Sequence, residues 1–213
     1  IADDAYAQAG AKVVANAGNV YSNADVIVKI NPPATAQRDE FSLLRRNCCL
    51  VCLLEPRTAP ERLKRLAEAG VTAFALDSVP RISRAQSMDV LSSMASLAGY
   101  KAVLLAANEL KSVMPMMMTA AGTIKPAQAL VIGAGVAGLQ AVATLRRLGA
   151  VITAADVRPA VEEEVGSLGA KFVPMKVEHE QAQTSGGYAA DLGEDFYRQE
   201  QDILRPHVER PPL

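Results

Sequence analysis

Six residues constrain this chain more than any others: Gly133-Ala-Gly135-Val-Ala-Gly138. The apolar run Ala129–Ile132 before them predicts a buried strand, and the stretch that follows, as far as Leu148, predicts a helix stopped by Gly149. Arg146 and Arg147 fall at that helix's negative end. A second strand, Val151–Ala155, closes on Asp156, which stands 18 residues after Gly138. Each glycine answers a physical demand. Gly133 permits a tight turn, Gly135 lets backbone approach a pyrophosphate, and Gly138 lets helix and strand pack closely. The N–H groups at the helix start receive the phosphate charge. Three glycines at this spacing are weak evidence by themselves, but strand, turn, helix, strand and acid together make a dinucleotide-binding unit.

Asp156 also bears on which dinucleotide. A carboxylate at the end of this strand accepts hydrogen bonds from the ribose hydroxyls and repels a 2′-phosphate, which favours NAD over NADP. Arg158 reads as an adenine-stacking or ion-paired arginine while Asp156 stands. Beyond it, Pro159 opens another helix with Glu162, Glu163 and Glu164 near its positive end and Gly169 closing it. Val161, Val165 and Leu168 form its inward side. A strand over Lys171–Met175 follows, and then a polar stretch, residues 176–187, read as a solvated connection.

The N-terminal half has the same alternation. Residues 24–30, 48–54 and 71–76 predict short buried strands, and a helix between the last two starts at Pro60 and stops at Gly70, with Leu63, Leu66 and Ala67 inward. Near-continuous apolar strands alternating with helices imply parallel sheets covered on both faces. Cys48, Cys49 and Cys52 lie in one of these strands. The Cys-x-x-Cys spacing suggests a redox or metal pair, but without a second pair or a nearby histidine they read as reduced core thiols.

From about Gln86 to Leu110 the pattern becomes one long helix, with Met88, Leu91, Ala95, Ala98, Ala102 and Leu105 as the predicted inward stripe. At 1.5 Å per residue it spans roughly 35–40 Å, enough to tie two domains together. Residues 114–126 are non-periodic, and the Met run within them reads as packing filler. The organisation expected is a first domain over 1–110 and a nucleotide-binding domain over 111–213. The fold class is α/β, two Rossmann-like parallel-sheet domains bridged by the long helix.

Charge is balanced, 22 Lys+Arg against 23 Asp+Glu, and aromatic residues make up 4%. With no basic run and few stacking rings, nucleic-acid binding is excluded. No segment approaches about 18 unbroken apolar residues, so no membrane insertion is expected. His179 and His207 are the histidines present. They read as surface residues, and no metal-ligand cluster appears.

Residues 80–100 narrow the field further. The run Pro80-Arg81-Ile82-Ser83-Arg84-Ala85-Gln86-Ser87-Met88-Asp89 with LSSMASLAGYKAV after it, then TAAGTIKPA, VIGAGVAGLQA, ADVRPA and GGYA, resembles the NAD(H)-binding alpha component of proton-translocating NAD(P) transhydrogenases. These share their fold with alanine dehydrogenases. The resemblance implies that Arg81, Gln86, Asp89 and Ser92 hold the dihydronicotinamide ring and act in hydride transfer. Gln86, Asp89 and Ser92, spaced by three, can share one helix face. It further implies cofactor contacts at Arg81, Ile82, Ser83, Gly133, Gly135, Val136, Gly138, Asp156, Val157 and Arg158. Gly187 and Tyr188 match a loop that closes over nucleotide, and Glu200 matches another polar contact.

The activity so implied is hydride transfer between NADH and NADP+ bound to a partner domain, with NAD(H) as cofactor in a cleft between the two domains. No proton moves on either ring, so the task is proximity, with the reacting carbons held about 3–3.5 Å apart. An alanine dehydrogenase needs an acid and base instead, and no histidine stands near CLVCLLEP where that enzyme carries one. The alternatives are therefore such a soluble oxidoreductase or a non-catalytic nucleotide-binding module. The implied partners are an NADP(H)-binding domain and a membrane-spanning proton channel, with a homodimer and a place on the cytoplasmic side of the inner membrane (the matrix side in mitochondria). The family pattern also has a strand–helix unit before Ile1 and further strands after Arg210, so the chain is expected to be an internal piece, with both domains incomplete.

Overall fold

The protein, described by a computed structural model over residues 2–35, 39–175 and 194–208, divides into two compact units, residues 1–90 and 91–213. In the first, helices α1 (Asp3–Gln8) and α2 (Ala17–Asn23) precede strand β1 (Val26–Val28). Asn16 caps α2, its Oδ1 accepting from the Gly18 N–H at 2.8 Å. Strand β2 (Cys49–Cys52), helix α3 (Pro60–Glu68) and strand β3 (Thr72–Ala75) follow, and the three strands form a parallel sheet in the order β1-β2-β3. A 3-10 turn at Glu40–Leu43 carries Phe41 into the core beside Tyr21, Ile27, Leu44, Leu50 and Leu66.

Two expectations for this unit need correction. Its sheet is covered on one face: Val26, Val28, Ile30 and Phe74 are all more than half exposed on the other. In α3 Leu66 is buried, but Leu63 and Ala67 face outward. Arginine stems take their place on the inner side. Arg65 lies 4.1 Å over the Phe41 ring and pairs with Asp39, while Arg62 donates to Glu55 and to the Leu54 carbonyl. A long charged side chain covers apolar surface with its methylenes, which a hydrophobic count does not register.

Cys48 and Cys52 are buried free thiols in this core, as read from the sequence, and Cys49 is half-buried. Successive strand residues point to opposite faces, so Cys49 and Cys52, three apart, face away from each other. Burial pushes the Cys52 thiol up to about 11.

The second unit opens with α4 (Val90–Glu109). The predicted helix does not run through from Gln86: Ser83–Met88 is a 3-10 segment, and Asp89, at φ −78 and ψ 83, breaks it from α4. The 20 residues of α4 make it about 30 Å long. The predicted stripe is also displaced. Gly99 and Val103 are buried, whereas Ala98, Ala102 and Leu105 are exposed. The helix is apolar nearly all round, so periodicity cannot choose its inner face. By length and composition it could cross a membrane, yet Val103 packs into the core of this unit.

Residues 114–126, read as irregular, form an antiparallel hairpin of β4 (Met117–Thr119) and β5 (Gly122–Ile124). Thr119 shapes its turn, donating to the Gly122 carbonyl and accepting from the Ala121 N–H. Met114 packs against the core, but Met116, Met117 and Met118 are exposed and fill nothing.

Strand β6 (Gln128–Ile132), helix α5 (Val136–Arg147), strand β7 (Val151–Asp156), helix α6 (Glu162–Ser167) and strand β8 (Lys171–Pro174) complete a parallel sheet ordered β6-β7-β8. Val142, Leu145, Val161 and Val165 bury one face, with Leu168 packed beside them. Leu204 of α7 (Glu194–Val208) packs with Ala155, Val173 and Met175 on the other. This sheet is covered on both sides. The α/β reading, two parallel sheets with a long helix between them in the chain, holds.

Candidate nucleotide site

The carboxyl ends of β6 and β7 carry the polar groups of the second unit. Gly133 follows β6 at φ +89, a left-handed conformation that a side chain would strain, and its N–H donates to the Ala155 carbonyl at 2.8 Å. Gly135 is the N-cap of α5, so the first amides of that helix, beginning at Val136, have no intrahelical acceptor. A Cβ on Gly138 would stand 1.8 Å from the Gly133 carbonyl oxygen, so helix and turn are in contact there. At Gly135 the nearest atom to such a Cβ is Arg158 Nη2, 3.9 Å away. The turn is thus tight behind Gly138 and open before Gly135, the shape that lets a diphosphate approach backbone amides.

Asp156 ends β7 with its side chain 4% exposed. Its Oδ2 accepts from the Ala134 N–H at 2.6 Å and from Arg158 Nη2 at 2.9 Å. Its Oδ1 accepts from the Arg158 N–H at 2.8 Å and from Arg158 Nε at 3.0 Å. Burial works to raise this carboxyl, but the Arg158 guanidinium and the two backbone amides outweigh it and hold it below the usual carboxylate range. The ion-paired reading of Arg158 is the one observed. Val157 points toward the sheet core, packed against the Ala155 cluster.

Sequence reasoning passed over Gly99. A Cβ there would meet the Ala137 carbonyl at 2.1 Å, so α4 lies directly against the first turn of α5. Beside it Ser96 Oγ donates to Gln140 Oε1 at 3.3 Å. A single glycine inside an otherwise unbroken helical run was the available signal.

In the first unit, Arg81 Nε lies 4.0 Å from Asp89 Oδ2. The 3-10 segment between them is anchored by buried Ala85 and leaves Ile82, Ser83 and Gln86 exposed. Gln86 sits in that segment, Asp89 at the break and Ser92 in α4, so the three do not share one continuous helix face. Glu200 is half-buried on α7. His207, on the same helix, lines a small recess with Gln128 and Thr153. Gly187, Tyr188 and His179, with the connection 176–187, lie outside the described residues.

Residues 1–98 match the N-terminal domain, and residues 102–193 the C-terminal domain, of alanine dehydrogenase/PNT. The chain belongs to the alanine dehydrogenase/PNT family. Within that family it is similar to an NAD(P) transhydrogenase alpha-subunit chain of Rhodospirillum rubrum, 48% identical over 207 residues, covering 96% of this chain and 54% of that protein. The crystal structure of a transhydrogenase from Sinorhizobium meliloti superposes with a TM-score of 0.80 at 45% identity, covering 98% of this chain and 54% of that one. An L-alanine dehydrogenase structure is more distant, with a TM-score of 0.65 at 26% identity, covering 83% of this chain and 49% of that one. The chain thus falls with the transhydrogenase alpha subunits, and it spans about half the length of the relatives it matches.

Proposed function

We propose that this chain belongs to the NAD(H)-binding component of a proton-translocating NAD(P) transhydrogenase, passing hydride between NADH and NADP+ held by a partner domain. The observation that carries the reading is the glycine turn backed by Asp156: tight behind Gly138, open before Gly135, and acidic at the end of β7. When bound, the dihydronicotinamide supplies the hydride. The chain's own residues bind and orient. The Gly135 and Val136 turn would take the diphosphate on backbone amides, and Asp156 would take the adenosine ribose, which favours NAD(H) over its 2′-phosphorylated form.

The Arg81–Asp89 pair, with Gln86, would hold the nicotinamide end, joined by Ser92, Ile82 and Ser83. Orientation of this kind suffices for hydride transfer, because the reaction needs proximity rather than a proton shuttle. The component would act as a homodimer with an NADP(H)-binding domain and a membrane-spanning proton channel, at the cytoplasmic or matrix side of that membrane. Coupling to proton passage would then run through the populations of conformations in which the two nucleotides meet.

The test uses the full-length protein carrying this sequence, mixed with NADP(H)-loaded partner domain, NADH and an NAD+ analogue. Analogue reduction should depend on the partner. It should fall at least about tenfold in Arg81→Ala or Gln86→Ala while NADH still binds, since misplacement of this kind costs rate rather than the fold. Oxidation of alanine without any partner would overturn the reading in favour of a dehydrogenase. NADH binding without transfer would reduce the chain to a binding module.

A further inference from the structure

Asp156 is the one buried ionised side chain among the described residues. An ionised carboxylate offers about four acceptor positions. Here four donors fill them: the amides of Ala134 and Arg158, and the Nε and Nη2 of Arg158. A ribose diol therefore finds no open acceptor on the acid that is to recognise it. The four donors are unequal. The two amides belong to the glycine turn and to the chain just after β7, and they leave only if the backbone is rebuilt. The other two sit on a side chain with rotatable bonds, 17% exposed, whose Nη2 stands in the open space before Gly135.

We propose that the Arg158 guanidinium is a displaceable cap on Asp156, which the adenosine ribose of a dinucleotide must exchange for its own two hydroxyls, making Arg158 a specificity-determining residue of this site. The proposal rests on the NAD(H) reading above. The exchange conserves hydrogen bonds, two N–H donors giving way to two O–H donors, but it separates a charged pair that is stronger than the neutral bonds replacing it. The cap thus weakens the site for a ribose diol. It also neutralises the carboxylate that would otherwise repel a 2′-phosphate, and once swung away it supplies a cation for that phosphate. Arg158 thereby narrows the preference that Asp156 alone would impose.

The cap is tested in the full-length protein by calorimetric titration with NADH, AMP, 2′-deoxy-AMP and NADPH. In Arg158→Ala the two amides remain on Asp156 and two acceptor positions open. AMP and NADH should bind about tenfold tighter, one net hydrogen bond's worth, whereas 2′-deoxy-AMP gains less and NADPH binds more weakly. Arg158→Lys, which keeps the charge but not the two-pronged contact, should fall between. It also serves as the second variant should alanine impair folding, with near-ultraviolet circular dichroism as the check. In an Asp156→Asn background the Arg158→Ala gain should vanish.

Weaker binding of AMP and 2′-deoxy-AMP to the same extent in Arg158→Ala would overturn the cap and make Arg158 an adenine contact. Unchanged affinities would overturn it too. Failure of folded wild type and variants alike to bind NADH would instead remove the NAD(H) reading, and the proposal with it.

Discussion

Gly138 and Gly166 both lie in helices of the second unit, yet an added methyl group meets opposite surroundings at the two. At Gly138 it would lie 1.8 Å from the Gly133 carbonyl oxygen; at Gly166 nothing stands within 4 Å. Gly138→Ala should therefore cost about 1–3 kcal/mol through forced backbone shifts and weaken NADH binding with it. Gly166→Ala should gain about 0.4–1 kcal/mol by lowering the entropy of the unfolded chain. Thermal melts and NADH titrations of the two variants check the contrast, and equal effects would show that the turn does not need its glycine.

Asp156 yields a prediction of a second kind. Its folded pKa lies below the unfolded one, so the stability it contributes is complete above the ordinary carboxylate range and is lost as pH falls through the depressed value. The melting temperature of wild type should drop more steeply below about pH 4 than that of Asp156→Asn, and the two slopes should match near neutrality. A parallel course down to low pH would show that the carboxylate is not held by Arg158.

At the scale of elements, strand alternation decides what the cysteines do. Cys48 and Cys52 face the core, Cys49 the opposite side of β2, and burial keeps Cys52 protonated to about pH 11. A thiol reagent at about pH 7.5 should label Cys49 first and the other two only on unfolding, and mild oxidation should yield no Cys49–Cys52 disulfide. Mass spectrometry after partial labelling reads both. The end of β2 is pinned by Asp77, whose carboxylate accepts from the amides of Leu54 and Glu55 at 3.0 and 2.6 Å. Glu55 there has φ +52, a strained turn that these bonds stabilise. Asp77→Ala should cost about 1–3 kcal/mol, because buried Leu54 would lose an acceptor for its amide.

Elements were legible in unequal measure. β6, α5 and β7 appear within a residue or so of where apolar runs and glycine stops predicted them, because a strand–turn–helix unit is specified by local chemistry. The inner faces of α3 and α4 were not legible. In α3 the arginine stems of Arg62 and Arg65 lie beside buried Leu66 where Leu63 and Ala67 were expected, and in α4 the side chosen is the one where Gly99 admits the Ala137 carbonyl. Neither choice has a periodic signature. The β4–β5 hairpin was missed because its strands are three residues each and its turn depends on the Thr119 hydroxyl rather than on a glycine–asparagine pair.

Across the whole molecule, the two sheets differ in how they are covered. The second is packed on both faces, whereas the first presents Val26, Val28, Ile30 and Phe74 to solvent in this chain. A parallel sheet normally has both faces covered, so this patch is a hydrophobic surface of the kind that binds dyes and partners. The 213-residue chain should accordingly bind an anilinonaphthalene dye. Val28→Thr with Ile30→Thr should lower that fluorescence severalfold without unfolding the first unit, since both side chains lie outside its core. Unchanged fluorescence would place the dye elsewhere.

The order of residues determined by itself the α/β class, the glycine turn, the acid at the end of β7 and the family, because these depend on local spacing and on which residue types tolerate a turn or end a strand. Tertiary structure alone decided that the Ala134 amide closes on Asp156 beside Arg158, that Gly99 seats α4 on α5, and that one sheet is half covered. Those are outcomes of packing between elements distant in the chain, where what matters is the donor or surface that arrives opposite a group, and no local pattern records it.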